Sequence, residues 1–156
     1  MQFFSLLVAH AVGATELSWR VVSVHDGDTL TVLVERKQVR VRLVDIDAPE
    51  KKQPFGTRSR QSLSEICGGK TAQVDDRGKD RYGRTLGRVS CAGVDANAEQ
   101  VRRGMAWVYV RYAPKDSPLY ALEAEARAAR REIWSEANPV APWQWRQGQG
   151  RFERGE

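Results

Sequence analysis

The stretch VRVRLVDIDAPE, Val39 to Glu50, starts as a strand and ends as something else. Strict alternation puts Val39, Val41 and Leu43 on one face and Arg40 and Arg42 on the other, the period of a half-buried strand. Asp45, Asp47 and Glu50 then arrive within six residues, with Pro49 fixing the backbone before the last of them. One apolar strand therefore ends in three carboxylates, with the Arg42 guanidinium on a face that can reach them.

Strands surround this segment. Trp19–His25 and Thr29–Glu35 are β-branched runs on either side of HDGDT, in which Asp26-Gly27 is a hairpin turn signal. Arg36-Lys37 turns the chain into Val39–Val44. Pro54 opens a helix over Phe55–Ile66, ended by Gly68-Gly69. Two strands follow, Thr71–Asp76 and Leu86–Ser90, joined by the basic loop DRGKDRYGR. Asp95 or Asn97 caps a short helix through Val101, closed by Gly104. MAWVYV is β-prone. Ser117-Pro118 starts a helix expected to run to about Trp134, with Leu119, Leu122, Ala126, Ala129 and Ile133 as its stripe. The strands are mostly sequential, which disfavours a parallel α/β sheet. The fold class is α+β: a five-stranded OB-fold β-barrel with three helices.

The 156 residues suit one domain, and 41% apolar content with five Trp argues for a folded core and against disorder. A formal charge of +5, dominated by arginine, suits a polyanionic partner recognised through phosphate. Residues 1–14 hold an apolar run, Phe3 to Ala9, too short to span a bilayer and followed by small-residue cleavage sites. They read as a signal peptide, implying a secreted or periplasmic protein, or else as an apolar N-terminal arm of a cytoplasmic one. No stable membrane association is expected. If Thr71–Asp76 pairs antiparallel with Leu86–Ser90, Cys67 and Cys91 flank one end of that pair and can bridge in an oxidising compartment; in the cytosol they would be reduced core residues. From Asn138-Pro139 the chain reads as a tail, 138–156, whose Trp143 and Trp145 can dock on a domain spanning 19–137.

Chemistry concentrates at strand ends. Asp28 and Asp47 each abut a strand and are followed by a small residue, and two converging carboxylates with carbonyls and waters suit a hard cation such as Ca2+. Asp26 is equally well explained as a turn residue, Asp45 as a solvated strand end. Glu50 is either a surface partner of Lys51 and Lys52 or a general base that takes a proton from water beside a metal. Arg42 can stabilise the charge that develops on a phosphodiester, and the loop DRYGRTLGR offers Arg81, Arg84 and Arg88 to complete a clamp. Ser64 stands where a P-loop ending in Gly69-Lys70-Thr71 needs its first glycine, so nucleotide cradling is excluded. No G-x-S-x-G elbow accompanies His25, which reads as structural.

The segments VVSVHDGDT, VRLVDIDAPE, PFGTRSRQSL, DRYGRTLG, GMAWVYVRY and IWSE, in this order from Val21 to Glu136, resemble the staphylococcal nuclease (thermonuclease) family. The resemblance implies a five-stranded barrel with three helices. It further implies Ca2+ held by the carboxylates of Asp28 and Asp47 and the backbone carbonyl of Ala48, with Asp26 behind them. By the same resemblance Glu50 is the general base and Arg42 and Arg84 stabilise the transition state, in a secreted hydrolase that cleaves DNA and RNA to leave 3′-phosphates. Tyr82 and Tyr112 match pocket tyrosines, with Tyr109 beside Val110 where another would fall, and Arg81 joins them as a substrate-binding candidate. Base stacking on such aromatics is sequence-tolerant, so single-stranded or unpaired regions are favoured. The sequence departs from the staphylococcal pattern in having Ala48 for a threonine and a shorter loop from Lys51 to Phe55.

Two other classes compete with the enzyme: a catalytically silent nucleic-acid-binding OB-fold module, and a plain single-strand-binding barrel. A decayed module would lack some of Arg42, Glu50, Arg84, Asp28 and Asp47, yet all five are present. A monomer is the default expectation.

Overall fold

The computed structural model describes residues 17–152, so the expected signal peptide lies outside the described residues. Strands β1 (Leu17–Val24), β2 (Thr29–Val34) and β3 (Lys37–Leu43) form an antiparallel meander, followed by the two-residue β4 (Ile46–Asp47) and helix α1 (Gly56–Cys67). Strands β5 (Thr71–Lys79), β6 (Thr85–Cys91) and β7 (Val94–Asp95) lead into α2 (Ala96–Arg102) and β8 (Trp107–Val108). Helix α3 (Leu119–Ala128), a 3-10 turn (Glu132–Ser135) and α4 (Pro142–Phe152) complete the chain.

The sheet order β3-β2-β1-β5-β6 closes on itself because β3 also pairs with β6, in parallel, matching Val41, Arg42 and Leu43 to Thr85, Leu86 and Gly87. This is the expected five-stranded barrel with helices outside it. Its interior is the inward set of each strand, among them Val21, Leu30, Val32, Val41, Leu43, Val74 and Val89, all essentially inaccessible to solvent. Leu63 and Ile66 of α1 cover one end. Cys67 and Cys91 are disulfide-bonded within this core, tying the end of α1 to the end of β6. Among the described residues no helix is long and apolar enough to cross a membrane.

Three local expectations are corrected. The described residues contain four helices, not three, since the segment read as a tail forms α4. The helix begun at Ser117-Pro118 stops at Ala128 and does not reach Trp134. Arg130 turns into the left-handed region at φ 52°, and the chain folds back so that Ile133 N–H bonds to the Gly104 carbonyl at 3.2 Å. That reversal seats Ile133 and Trp134 in a second core with Trp107, Ala126 and Ala141, and burial there outweighs helical propensity. Of MAWVYV only Trp107–Val108 is strand, pairing antiparallel with β4. Asp95 is the α2 cap, accepting the Ala98 N–H at 3.0 Å, which leaves Asn97 free for another task.

Candidate functional site

The barrel brings the ends of β2, β3 and β6 to one mouth. Asp28 immediately precedes β2, and its carbonyl accepts the Leu43 N–H at 2.8 Å, locking it beside the end of β3. Beyond Leu43 the strand must bend: Asp45 takes φ 65°, and its carbonyl accepts the Tyr109 N–H at 2.8 Å. Asn97, buried under the bend, donates to the Val44 carbonyl at 2.8 Å and accepts the Val89 N–H at 3.0 Å. Asp45 is thus a half-buried hinge where a solvated strand end was expected, and β4 emerges turned so that Asp47 points back at Asp28.

Arg42 joins them. One nitrogen of its guanidinium lies 3.2 Å from Asp28 Oδ2 and 3.2 Å from Asp47 Oδ1, while the other donates to the carbonyls of Leu43 and of Ile46. With only 13% of its side chain exposed, this guanidinium is fixed before any ligand arrives. Asp28 Oδ2 also accepts the Ala48 N–H at 2.7 Å, and Oδ1 the Thr29 hydroxyl at 3.0 Å. Asp26 sits behind, its carboxylate accepting the Asp28 N–H at 3.0 Å. Burial, and next the charge of Asp28, push the Asp26 carboxyl up to about 7. Burial likewise raises Asp47 despite the bonds it receives from Arg146.

The turn bearing Asp26 and Asp28 is fixed from behind. Gly27 does not have a positive φ; it is glycine because α1 passes against it, and a Cβ there would stand 1.7 Å from Ser59 Oγ. Gln100 donates to the Gly27 carbonyl at 2.7 Å and to that of Ser59 at 3.1 Å.

Glu50 follows the buried Pro49. Its N–H donates to Gln53 Oε1 at 3.1 Å, its carbonyl accepts the Gln53 N–H at 2.9 Å, and Gln53 Nε2 donates to the Val140 carbonyl at 2.6 Å. Gly56 admits the Glu50 carbonyl where a Cβ would lie 2.1 Å from it. The carboxylate of Glu50 pairs neither with Lys51 nor with Lys52; Oε1 accepts from Arg146 at 2.7 Å.

The arginines of the basic loop separate. Arg84 reaches the cavity mouth, with Nε bonded to Asp80 Oδ2 at 2.7 Å across the turn that Asp80 nucleates by accepting the backbone N–H groups of Tyr82 and Arg84. Arg81 stacks on Tyr82, 4.9 Å from the ring centroid. Arg88 points elsewhere, onto Asp95 at 2.6 Å. Tyr82 and Tyr112 are exposed at the rim, and Tyr109 packs edge-on to Tyr112 with centroids 5.0 Å apart. All the candidates, Asp26, Asp28, Arg42, Asp47, Ala48, Glu50, Arg81, Tyr82, Arg84, Tyr109 and Tyr112, line one cavity of about 840 Å³. His25 lies off it, bonded to the Thr31 hydroxyl at 2.7 Å.

Sequence reasoning missed two residues here. Gln53 orients Glu50. Arg146, on α4, donates to Asp47 Oδ2 at 2.7 Å and Oδ1 at 3.2 Å as well as to Glu50. The one signal for Arg146 was its spacing three residues after Trp143, a helical neighbour on the same face.

The donor set suits a hard cation. Asp28 and Asp47 offer carboxylate oxygens on either side of a point that one guanidinium nitrogen already bridges, and Asp26 adds negative charge behind them. Among the described residues no group of three His, Cys, Asp or Glu side chains is placed to hold a metal ion, so carbonyl and water oxygens would have to complete a shell begun by two carboxylates.

The sequence profile described as "Staphylococcal nuclease homologue" matches residues 40–136. An "Uncharacterized endonuclease" of Escherichia coli O157:H7 is 48% identical over 132 residues, 84% of this chain and 86% of the relative. "Protein ParB" of Escherichia coli is 43% identical over 152 residues, covering 91% of this chain and 86% of the relative. "Micrococcal nuclease" of Shigella flexneri is 42% identical over 151 residues, covering 90% and 87%. With the barrel, the mouth and these similarities in agreement, the chain belongs to the staphylococcal nuclease family.

Proposed function

We propose that the protein is a Ca2+-dependent, sugar-non-specific endonuclease that hydrolyses phosphodiester bonds of DNA and RNA and leaves 3′-phosphates. The observation that carries this reading is the meeting of Asp28, Asp47, Arg42, Glu50 and Arg84 in a single cavity from three separate segments of the chain. Nuclease names among relatives that cover most of the chain support it.

Asp28, Asp47 and the Ala48 carbonyl would hold the cation, whose chemistry is to neutralise charge on the phosphate. Glu50 takes the proton of a water aimed at phosphorus, a role typically worth 10²–10⁴-fold. Arg42, preorganised by two backbone carbonyls, and Arg84, braced by Asp80, donate to the non-bridging oxygens as charge builds on them; losing one such donor costs about 10²–10³-fold. The P–O5′ bond breaks as the water oxygen bonds to phosphorus, the 5′-oxygen takes a proton from solvent, and phosphate stays on the 3′ side; because no step uses a 2′-hydroxyl both polymers are substrates. Tyr82 and Tyr112, each with an arginine over its ring, offer faces on which unpaired bases stack.

We further propose that the protein acts as a monomer, a second copy not being needed to bring Asp28, Arg42, Asp47, Glu50 and Arg84 together. The buried Cys67–Cys91 bridge supports a secreted or periplasmic site of action. The test is digestion of a single-stranded DNA and an RNA oligonucleotide with Ca2+ or with chelator, the products weighed by mass spectrometry. Products carrying 3′-phosphate that form only with Ca2+ are expected. Products carrying 5′-phosphate, or cleavage in chelator, would contradict the mechanism.

A further inference from the structure

Helix α4 delivers Arg146 to the mouth from nearly a hundred residues downstream of Asp47 and Glu50. The helix is fastened there on two sides. Trp143 stacks on Tyr109 with centroids 5.4 Å apart and planes 7° from parallel, and its edge meets Trp107 at 5.6 Å. The Gln53–Val140 bond ties the segment before the helix to the Glu50 turn. One helical turn after Trp143, the Arg146 guanidinium engages Asp47 through both nitrogens and Glu50 through one.

Both carboxylate oxygens of Asp47 thereby accept a guanidinium. Oδ2 receives Arg146 at 2.7 Å, and Oδ1 receives Arg146 and Arg42, each at 3.2 Å. A Ca2+ ion bound there would draw on the carboxylate oxygens of Asp47 that Arg146 now engages. The two cations compete for the same electrons on Asp47. The Arg146 side chain is 41% exposed and the Asp47 carboxylate 2%, so the guanidinium has solvent to swing into and covers the carboxylate until it does. Glu50 is engaged by the same guanidinium, so releasing Asp47 also frees the oxygen that would accept a proton.

We propose that Arg146 is an internal counter-ion that a divalent cation displaces from Asp47 and Glu50, so that α4 holds metal ligand and base closed until the cation binds. This rests on reading Asp28 and Asp47 as cation ligands. Arg146 weakens cation affinity by the strength of its bidentate pair and makes base availability contingent on cation binding.

The test is calorimetric titration of Ca2+ into the full chain without nucleic acid, for wild type, R146Q, R146K and D47N, with urea unfolding to verify that each is folded. R146Q is expected to bind Ca2+ about tenfold more tightly than wild type, R146K to fall between them, and D47N to bind more weakly than wild type. R146K retains the charge without the two-pronged geometry, which separates a bidentate effect from bulk electrostatics. Equal or weaker binding by R146Q, with normal binding by wild type and loss in D47N, would overturn the competition and leave the ligand reading intact. Absence of Ca2+ uptake by both wild type and R146Q would overturn the two together.

Discussion

Gly27→Ala isolates the packing that positions the acids. The added Cβ would meet Ser59 Oγ at 1.7 Å, so the pair must separate by about 1.8 Å to reach an ordinary contact of about 3.5 Å. Rotating Ser59 away breaks its 2.6 Å bond to the Met105 carbonyl, a loss of about 1 kcal/mol or more for a buried acceptor. Rotation also leaves the Cβ atoms of Ala48 and Ser59 at 2.8 Å, an overpacking worth about 1–3 kcal/mol. The sum is a destabilisation of about 2–4 kcal/mol, a midpoint shift on the order of 1–2 M in urea. The strain falls on the turn holding Asp26 and Asp28, and a displacement of about 1 Å there should slow cleavage about 100-fold. Gly93→Ala is the control. Gly93 has φ 77° and open space around it, so alanine there should cost about 1 kcal/mol and leave cleavage untouched. Urea unfolding and an oligonucleotide cleavage assay on both variants decide the matter. A Gly27→Ala protein within about 0.5 kcal/mol of wild type and fully active would refute the close-approach argument.

Reducing the Cys67–Cys91 bridge, at a sequence separation of 24, should remove about 3.4 kcal/mol of stability by restoring loop entropy to the unfolded chain; unfolding curves with and without dithiothreitol measure it, and coincident curves would argue against the bridge. Gln53→Ala deletes the bonds to the Glu50 N–H and the Val140 carbonyl, and should lower kcat about tenfold at little change in KM, because Glu50 loses its orientation and the pocket keeps its faces. Steady-state kinetics check this, a pure KM effect being the adverse result. The Glu99 carboxyl is held below its usual 4.5, first by its bond from Arg102 and also by Arg103, against the opposing effect of burial. Its folded value is depressed, so the stability it contributes is fully present above pH 4.5 and is lost as pH falls through the folded value. Glu99→Gln should therefore flatten that part of the acid limb in a stability-versus-pH series, and an unchanged limb would count against it.

The sequence showed those features whose cause is local. Alternation through Val39, Val41 and Leu43 sets β3, and the acids beyond it had to cluster at its end whatever the rest of the fold did. Cys67 and Cys91 could be placed at one end of a strand pair because the β5–β6 ladder follows from two adjacent strand signals, while bridge and reduced pair stayed open until the structure joined them. What escaped depends on distant contacts. Gly27 looked like a turn glycine, whereas it is glycine because α1 crosses it. The stripe of α3 reads on to Ile133, but the second core around Trp107 claims Ile133 and Trp134 and breaks the helix first. Composition alone does not separate Arg81, Arg84 and Arg88, and the resemblance that singled out Arg84 gave no physical reason; the turn built on Asp80 and the pull of Asp95 supply it. Arg146 lay in a segment of Gly, Gln and charge, and the stacking of Trp143 on Tyr109 with the Gln53–Val140 bond makes that segment part of the site.

If one cavity performs metal-assisted hydrolysis with Glu50 as base, single-turnover cleavage of a single-stranded DNA by wild type and Glu50→Gln, each in Ca2+ and in chelator, must depend on both the cation and the carboxylate. Rapid cleavage by wild type in Ca2+, none in chelator, and a rate about 10²–10⁴-fold lower for Glu50→Gln at equal substrate affinity are expected. Equal rates for the two proteins in Ca2+ would contradict that role of Glu50.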